Sequence, residues 1–497
     1  MSKHLHVIDA TAIRRRAFLR DLGLGFGSVA LAALWHRDAA AATASPAALT
    51  HFAPKAKSVI WLFMIGGASH LESFDPKPAL NRYAGKTISE TPFQDVLKSP
   101  YLDNERVVAF DPNNGFVRKT CYPLQVGFQR HGESGLEISD WWPHLSECAD
   151  DLCLIRSMWT EDSNHGAQLQ FHTGRHRVDG FFPTIGSWVS YGLGSLNENL
   201  PEFVVLGTPL ADCCGGREAH RANYLGPQYD GVPLKVDPRN SMPYLAPEQG
   251  TFVEEQRQQF ALLRQLNQFT SGNNPDDEAI QARIRAYELV AVMQSSVPQA
   301  VDLSKETAAT KKLYGADDPS TQGFERNCLL ARRLLEHGVR FVQLYNGGAF
   351  GAPRINWDAH EDVLSNHRKQ AAVMDKPVAG LLKDLKQRGL LKDTLVLWTT
   401  EFGRTPFTQG IGATGRDHHQ HVYTNWMAGA GLKPGFGYGQ SDEVGYKPAA
   451  DPVTVYDFHA TVLHLLGLDH KQLTFYHNGI RRRLTNVAGV VIDDLLA

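Results

Sequence analysis

Three short segments carry carboxylates and imidazoles in close succession: Asn356-Trp-Asp358-Ala-His360, Thr399-Thr-Glu401-Phe-Gly-Arg404 and Gly415-Arg-Asp417-His418-His419-Gln-His421. Mixed oxygen and nitrogen donors suit divalent zinc, manganese or iron, and two such ions can clamp both oxygens of an in-line displacement. The expected ligands of one or two ions are Asp358, His360, Glu401, His418 and His419. Arg404, directly after Gly403, is expected to grip a tetrahedral oxyanion with its planar fork, with a salt bridge as its alternative duty. Any one of these histidines alone would pass for a surface residue. The position of Glu401 argues for a site, because Leu395-Val-Leu-Trp-Thr-Thr400 reads as a buried strand and open α/β sheets bind ligands at such carboxyl ends.

The elements that must position these groups alternate. Lys57–Ile65 is a continuous apolar run of strand length, followed by Gly66-Gly67, where the backbone can turn sharply beside a ligand. Further strands are expected over Leu152–Met158, Glu202–Gly207, Val339–Tyr345, Leu395–Thr400 and, as the last, Tyr423–Ala428. Helices are expected from Ala167, around Cys328–Leu335 up to Gly338, onward to about Arg388, and over Asp457–Leu466. Residues 251–297 read as two amphipathic helices, the second capped by Asn274 or Asp276. This alternation predicts an α/β fold, a mostly parallel central sheet with helices on both faces.

Residues 1–44 read as a leader. Arg15-Arg16-Ala-Phe-Leu-Arg20 matches the twin-arginine export motif, an apolar stretch Leu22–Leu34 follows, and small residues from Ala39 to Ala44 offer a cleavage point. The apolar stretch is too short for a bilayer core of about 30 Å, so the mature chain is expected to lack a transmembrane span. A linker over 45–56 and one α/β domain over 57–497, with an insert at about 212–298, complete the expected organisation, in the periplasm or cell envelope. A net charge of −3 argues against nucleic acid as a partner. Six cysteines remain after the leader; Cys148 and Cys153 could pair in an oxidising compartment, with buried thiols as the alternative.

Over nearly the whole mature chain the sequence resembles the exported bacterial family called domain of unknown function 1501. Gly66-Gly-Ala-Ser-His-Leu-Glu-Ser-Phe-Asp-Pro-Lys-Pro78, Leu329–Val339, Glu401-Phe-Gly-Arg-Thr-Pro406 and Gly415-Arg-Asp-His418 carry the resemblance. That family is similar to the alkaline phosphatase–sulfatase superfamily, which implies an alkaline phosphatase-like fold and metal-dependent hydrolysis of phosphate or sulfate esters. The resemblance offers Ser69, Glu72 or Asp75 as a first acidic ligand, and Asp358 or Asn356 with His360 for one metal. It sets Glu401-Phe402 where the superfamily has Asp-His, and His418 as the final ligand. Counting nine residues back from Thr173-Gly-Arg175 reaches Asn164, where sulfatases carry the cysteine that becomes formylglycine. An amide cannot attack, so Ser163 or His165 beside it, or a metal-activated water, must serve instead. A helix N-cap is the alternative duty of Ser163-Asn164-His165, and Arg175 is a second oxyanion candidate.

The expected activity is therefore an exported metal-dependent hydrolase acting on a small-molecule or glycan ester, with the twin-arginine machinery as its export partner. A non-catalytic envelope protein that keeps the fold for binding is the alternative. A mutase would need a better serine nucleophile than this chain offers.

Overall fold

The computed structural model describes residues 50–98, 119–234 and 299–497, without 198, 209, 349, 351–353 and 409–412, plus scattered positions between 100 and 297. The leader, most of 251–297 and both proposed caps there lie outside the described residues. Nine described strands form the central sheet: β1 (Ser58–Met64), β2 (Leu152–Trp159), β3 (Phe203–Leu206), β4 (Val232–Leu234), β5 (Phe341–Asn346), β6 (Thr394–Thr400), β7 (Tyr423–Gly429), β8 (Phe436–Tyr438) and β9 (Val453–Thr454). Their order is β8-β2-β7-β6-β1-β5-β3-β4, with β9 also beside β2. Every pairing is parallel except those of β7, which runs against both β2 and β6.

The mostly parallel sheet expected from the alternation is present, and the six apolar runs are its six longest strands. Tyr423–Gly429 is not the last of them. β8 and β9 follow it, and β4 joins through Val232–Leu234 pairing with β3. These three elements of two or three residues carry no apolar run, so only tertiary pairing with a longer neighbour makes them strands.

Burial on both faces explains why the long strands read as continuous apolar runs. Ile60, Leu62 and Met64 of β1 pack, with Val396 and Trp398 of β6, against helices α3 (Phe324–Glu336) and α4 (Val363–Gln387). Val59, Trp61 and Phe63 point the other way, against α1 (Ala167–Thr173), α2 (Ile185–Leu193) and α5 (Val455–Leu465). The strand period of two thus divides one apolar segment between two cores. Helix α5 starts before the expected Asp457, because Thr454 and Asp457 form a capping box across its first turn.

The proposed Cys148–Cys153 disulfide is absent: Cys121, Cys148, Cys153 and Cys328 are all buried free thiols. Cys148 packs in the core on one face of the sheet and Cys153 in the core on the other, so β2 separates their side chains. Among the described residues, no helix is long and apolar enough to cross a bilayer.

Glu202 precedes β3, and burial pushes its carboxyl up to about 7 against the opposing pull of Arg340. The folded group is protonated below that value, whereas the unfolded one ionises from about 4.5. The cost of burying the charge therefore develops as pH rises through this window and is complete above it. Glu202→Gln should raise stability by on the order of 1 kcal/mol at pH 8 and leave it nearly unchanged at pH 4.5, as read by thermal unfolding. Equal shifts at both pH values would refute this account.

Candidate metal centre

Strands β1, β2, β5 and β6 all end at one edge of the sheet, and β7, running the other way, begins there. Five chain segments therefore meet at that edge: Gly66-Gly67 after β1, Ser163–His165 after β2, Asn356–His360 after β5, Glu401–Arg404 after β6, and Asp417–His421 before β7. The reversed direction of β7 is what delivers His418 to the same place as Asp358.

The close approach depends on glycine. A Cβ on Gly66, at φ +112°, would lie 2.6 Å from the backbone nitrogen of Asp358, and one on Gly415 would overlap the His360 carbonyl. Trp357 then pins the loop, its backbone N–H donating to the Ile65 carbonyl at 2.8 Å and its indole N–H to Asn346 Oδ1 at 2.7 Å. Asn356 completes the turn, accepting from the Asp358 N–H at 3.1 Å and donating to the Gly348 carbonyl at 3.1 Å.

Three imidazoles converge on the Asp358 carboxylate. Nε2 of His360 and of His418 lie 2.8 and 3.2 Å from Oδ1, and Nε2 of His165 lies 3.7 Å from Oδ2. Two overlapping groups of ligand atoms result, His165–Asp358–His418 and His360–Asp417–His418. The hydrogen bonds behind the rings assign the tautomers. Nδ1 of His418 donates to the Ser163 carbonyl at 2.9 Å, and Nδ1 of His165 donates to Glu401 Oε1 at 3.0 Å. Each proton held at the back turns an Nε2 lone pair towards Asp358, the arrangement usual for metal-bound histidine. His165 Nε2 is buried without a hydrogen-bond partner. Lone pairs facing a carboxylate require a cation or protons between them, so these residues fit a divalent ion. Imidazole and carboxylate donors favour zinc, iron or manganese, and three protein ligands leave an open position.

Electrostatics separate the two rings: the carboxylates around His165 attract a proton or a cation to its Nε2, whereas His418 stays neutral. Burial alone would raise the Asp358 carboxyl, but His165, His360, His418 and Arg404 together hold it well below the ordinary range. Burial would lower His165, yet the Asp358 and Glu401 carboxylates prevail and raise it. Burial holds His418 well below its ordinary value, so its Nε2 presents a lone pair.

Several expected residues occupy other roles. Glu401, wholly buried, belongs to neither ligand group; its Oε1 accepts from the Gly66 N–H at 2.8 Å and Gln168 Nε2 at 2.7 Å as well as from His165. His419, next to His418 on a two-residue ladder, faces away, with Nε2 on the Tyr446 carbonyl at 2.5 Å. Arg404 is 0 % exposed and donates to the carbonyls of Gly66, Gly67, Trp357 and Arg416 and to Asp358 Oδ1 at 2.9 Å. The salt bridge that was its alternative duty is formed, with Asp358 as the partner. Arg175 is similarly engaged by the carbonyls of Gly174, Arg483 and Leu484.

Ser163 contributes its carbonyl to the site, and Asn164 Oδ1 accepts from the His165 N–H at 2.7 Å. The N-cap duty is not found: α1 starts at Ala167 after Gly166, with no side-chain cap. None of the three possible first acidic ligands reaches Asp358. Glu72 pairs with the buried Arg416 at 2.7 Å and accepts from the Ser69 hydroxyl, while Asp75 pairs with Lys77 at 2.9 Å.

The model of the family described as protein of unknown function, DUF1501, matches residues 56–496. The chain belongs to that family. No curated protein matches. Among solved structures, this DUF1501 chain is similar to the PsFucS1 sulfatase from Pseudoalteromonas sp., at 12 % identity and a TM-score of 0.32, over 87 % of this chain and 72 % of that one. It is similar to alkaline phosphatase from the Antarctic bacterium TAB5, at 10 % identity and a TM-score of 0.32, over 84 % and 99 % of the two chains. The lipoteichoic acid synthase LtaP from Listeria monocytogenes matches at 10 % identity and a TM-score of 0.32, over 84 % and 74 %. At such identities the chemistry of the DUF1501 site has to come from its own residues.

Asp417, Gln168, Phe350 and Arg354 also reach the site, and none of them is among the expected ligands or catalytic residues. Asp417 had a usable signal in its place within Gly415–His418. Gln168 had one too, lying three residues beyond His165 on the segment that becomes α1. Phe350 packs on His165 with ring centroids 4.0 Å apart, and Phe402 packs on His418 at 4.4 Å, closing the apolar side of the cluster.

His165→Ala and His418→Ala should each abolish stoichiometric zinc retention on dialysis, as measured by elemental analysis. Glu401→Gln should weaken zinc about 10–100-fold through the lost orientation of His165, and His419→Ala should leave it unchanged. Loss of zinc from the His419 variant together with retention in the His165 variant would move the site elsewhere.

Proposed function

We propose that this chain is an exported metal-dependent hydrolase of phosphate or sulfate esters, with one divalent cation held by His165, Asp358 and His418. The observation that carries the reading is the pair of Nε2 atoms, on His165 and His418, turned towards the buried Asp358 carboxylate while each Nδ1 is engaged behind its ring. The ester class is the one implied by the superfamily resemblance, and export by the twin-arginine motif at Arg15-Arg16. A single ion is favoured because both ligand groups draw on His418. With Nδ1 of that ring donating to Ser163, its one remaining lone pair serves one ion.

When bound, the cation would supply a Lewis acid that polarises the ester and lowers the pKa of water at its open position. The chain's own residues do the rest. Glu401 and the Ser163 carbonyl keep His165 and His418 in the ligating tautomer. Arg404 offsets the charge of Asp358 from the closed side. His360, 14 % exposed at its side chain, stands at the open side with Nδ1 3.5 Å from Asp417 Oδ1, where it can carry a proton to or from the reacting groups. Water rather than a side chain is the attacking group in this reading, since it is the Ser163 carbonyl that is turned to the site.

Zinc-loaded protein should hydrolyse an aryl phosphate or aryl sulfate, lose activity on chelation and recover it on readdition of zinc. Asp358→Asn should lose activity by at least about a thousandfold. Ser163→Ala should retain the rate within about threefold; a thousandfold fall would make Ser163 a covalent nucleophile. Bound zinc without turnover on any ester would favour the alternative of an envelope binding protein.

A further inference from the structure

Arg354 was not among the expected site residues, yet it is the arginine at the solvent side of the cluster. Its side chain is 28 % exposed, whereas that of Arg404 is 0 % exposed. Nε and Nη2 of Arg354 are held by Glu361, at 2.7 Å to Oε2 and 2.8 Å to Oε1. This bidentate grip fixes the plane of the guanidinium and leaves Nη1 to point inward, where it meets Asp358 Oδ2. That oxygen is the one facing His165 Nε2. Arg354 Nη1 thus lies against the seat that the cation reading assigns to the metal. Phe350, packed at a tilt against His165, lines the same approach.

We propose that Arg354 is the oxyanion-binding residue of this site, held in place by Glu361 as a positioning residue. The inference rests on the cation reading above. Once a divalent ion takes up the charge of Asp358, the attraction between Asp358 and Arg354 is offset, and Nη1 keeps N–H donors directed at the ion's open side. A tetrahedral oxyanion, phosphate or sulfate, would meet the cation on one oxygen and Nη1 on another. Arg404 cannot take this part, because its donors are engaged by four carbonyls and Asp358. Arg354 therefore selects esters that keep an anionic non-bridging oxygen over neutral esters.

The test is calorimetric binding of inorganic phosphate, and separately of inorganic sulfate, to the zinc-loaded full chain, with zinc content and ester turnover measured on the same samples. Wild type should bind at least one of the two anions. Arg354→Gln should keep its zinc and weaken that anion about tenfold or more, Arg354→Lys should weaken it less, and Glu361→Gln should fall between wild type and Arg354→Gln. In turnover the Arg354→Gln loss should fall chiefly on KM for anionic esters. Zinc-loaded wild type that binds neither anion, or Arg354→Gln that binds as tightly as wild type, would overturn the assignment. Zinc retention separates the two readings. Arg354-dependent anion binding without turnover would sustain this inference while removing the hydrolase, and a chain that retains no zinc removes both.

Discussion

Burying the Asp358 carboxylate sets the terms for everything around it. An unpaired carboxylate at 3 % exposure is not tolerated in a protein interior, so the fold has to bring positive charge or proton donors to it from several directions. Arg404 reaches it from the closed side and Arg354 from the open side, while His165, His360 and His418 surround the remainder. Each compensating group comes from a different loop, except for His360 and Arg354, which share the loop of Asp358 itself. The carboxylate is thus the point at which the loops after β2, β5 and β6 and the segment before β7 are tied together. Gly66 permits this, because any side chain there would displace the Asp358 backbone.

A division of labour among the acids, all of them buried, follows from their partners. Asp358 and Asp417 lie among the ligand groups, whereas Glu401 and Glu72 are wholly enclosed and satisfied by donors of their own. Glu401 still acts on the site, through the Nδ1 proton of His165. A carboxylate placed behind a histidine fixes its ring and makes it the better ligand. The same logic separates the two neighbouring histidines. His418 and His419 alternate across a two-residue ladder with Gly403-Arg404, so only one of them can face Asp358, and the other finds the Tyr446 carbonyl.

Much of the architecture was legible in the chain. Continuous apolar runs such as Ser58–Met64 and Thr394–Thr400 announce strands buried on both faces, and their alternation with helical segments announces a parallel sheet. Asp358, His360 and His418 stand out as candidates by type and spacing, and His165 only through the superfamily resemblance. The short strands Val232–Leu234, Phe436–Tyr438 and Val453–Thr454 were not, because a segment of two or three residues has no periodicity to detect.

Sequence by itself determined which residue types were available at the carboxyl edge of the sheet, since strand ends and the loops after them follow from local apolar pattern. Tertiary structure alone decided which of those residues face one another. The antiparallel course of β7 brings His418 to Asp358, and the pleat turns His419 away. Arg404 is drawn inward to four backbone carbonyls, while Arg354, held by Glu361, stays at the solvent side. Side-chain direction and hydrogen-bond competition are set by contacts between segments far apart in the chain, and no local pattern encodes them.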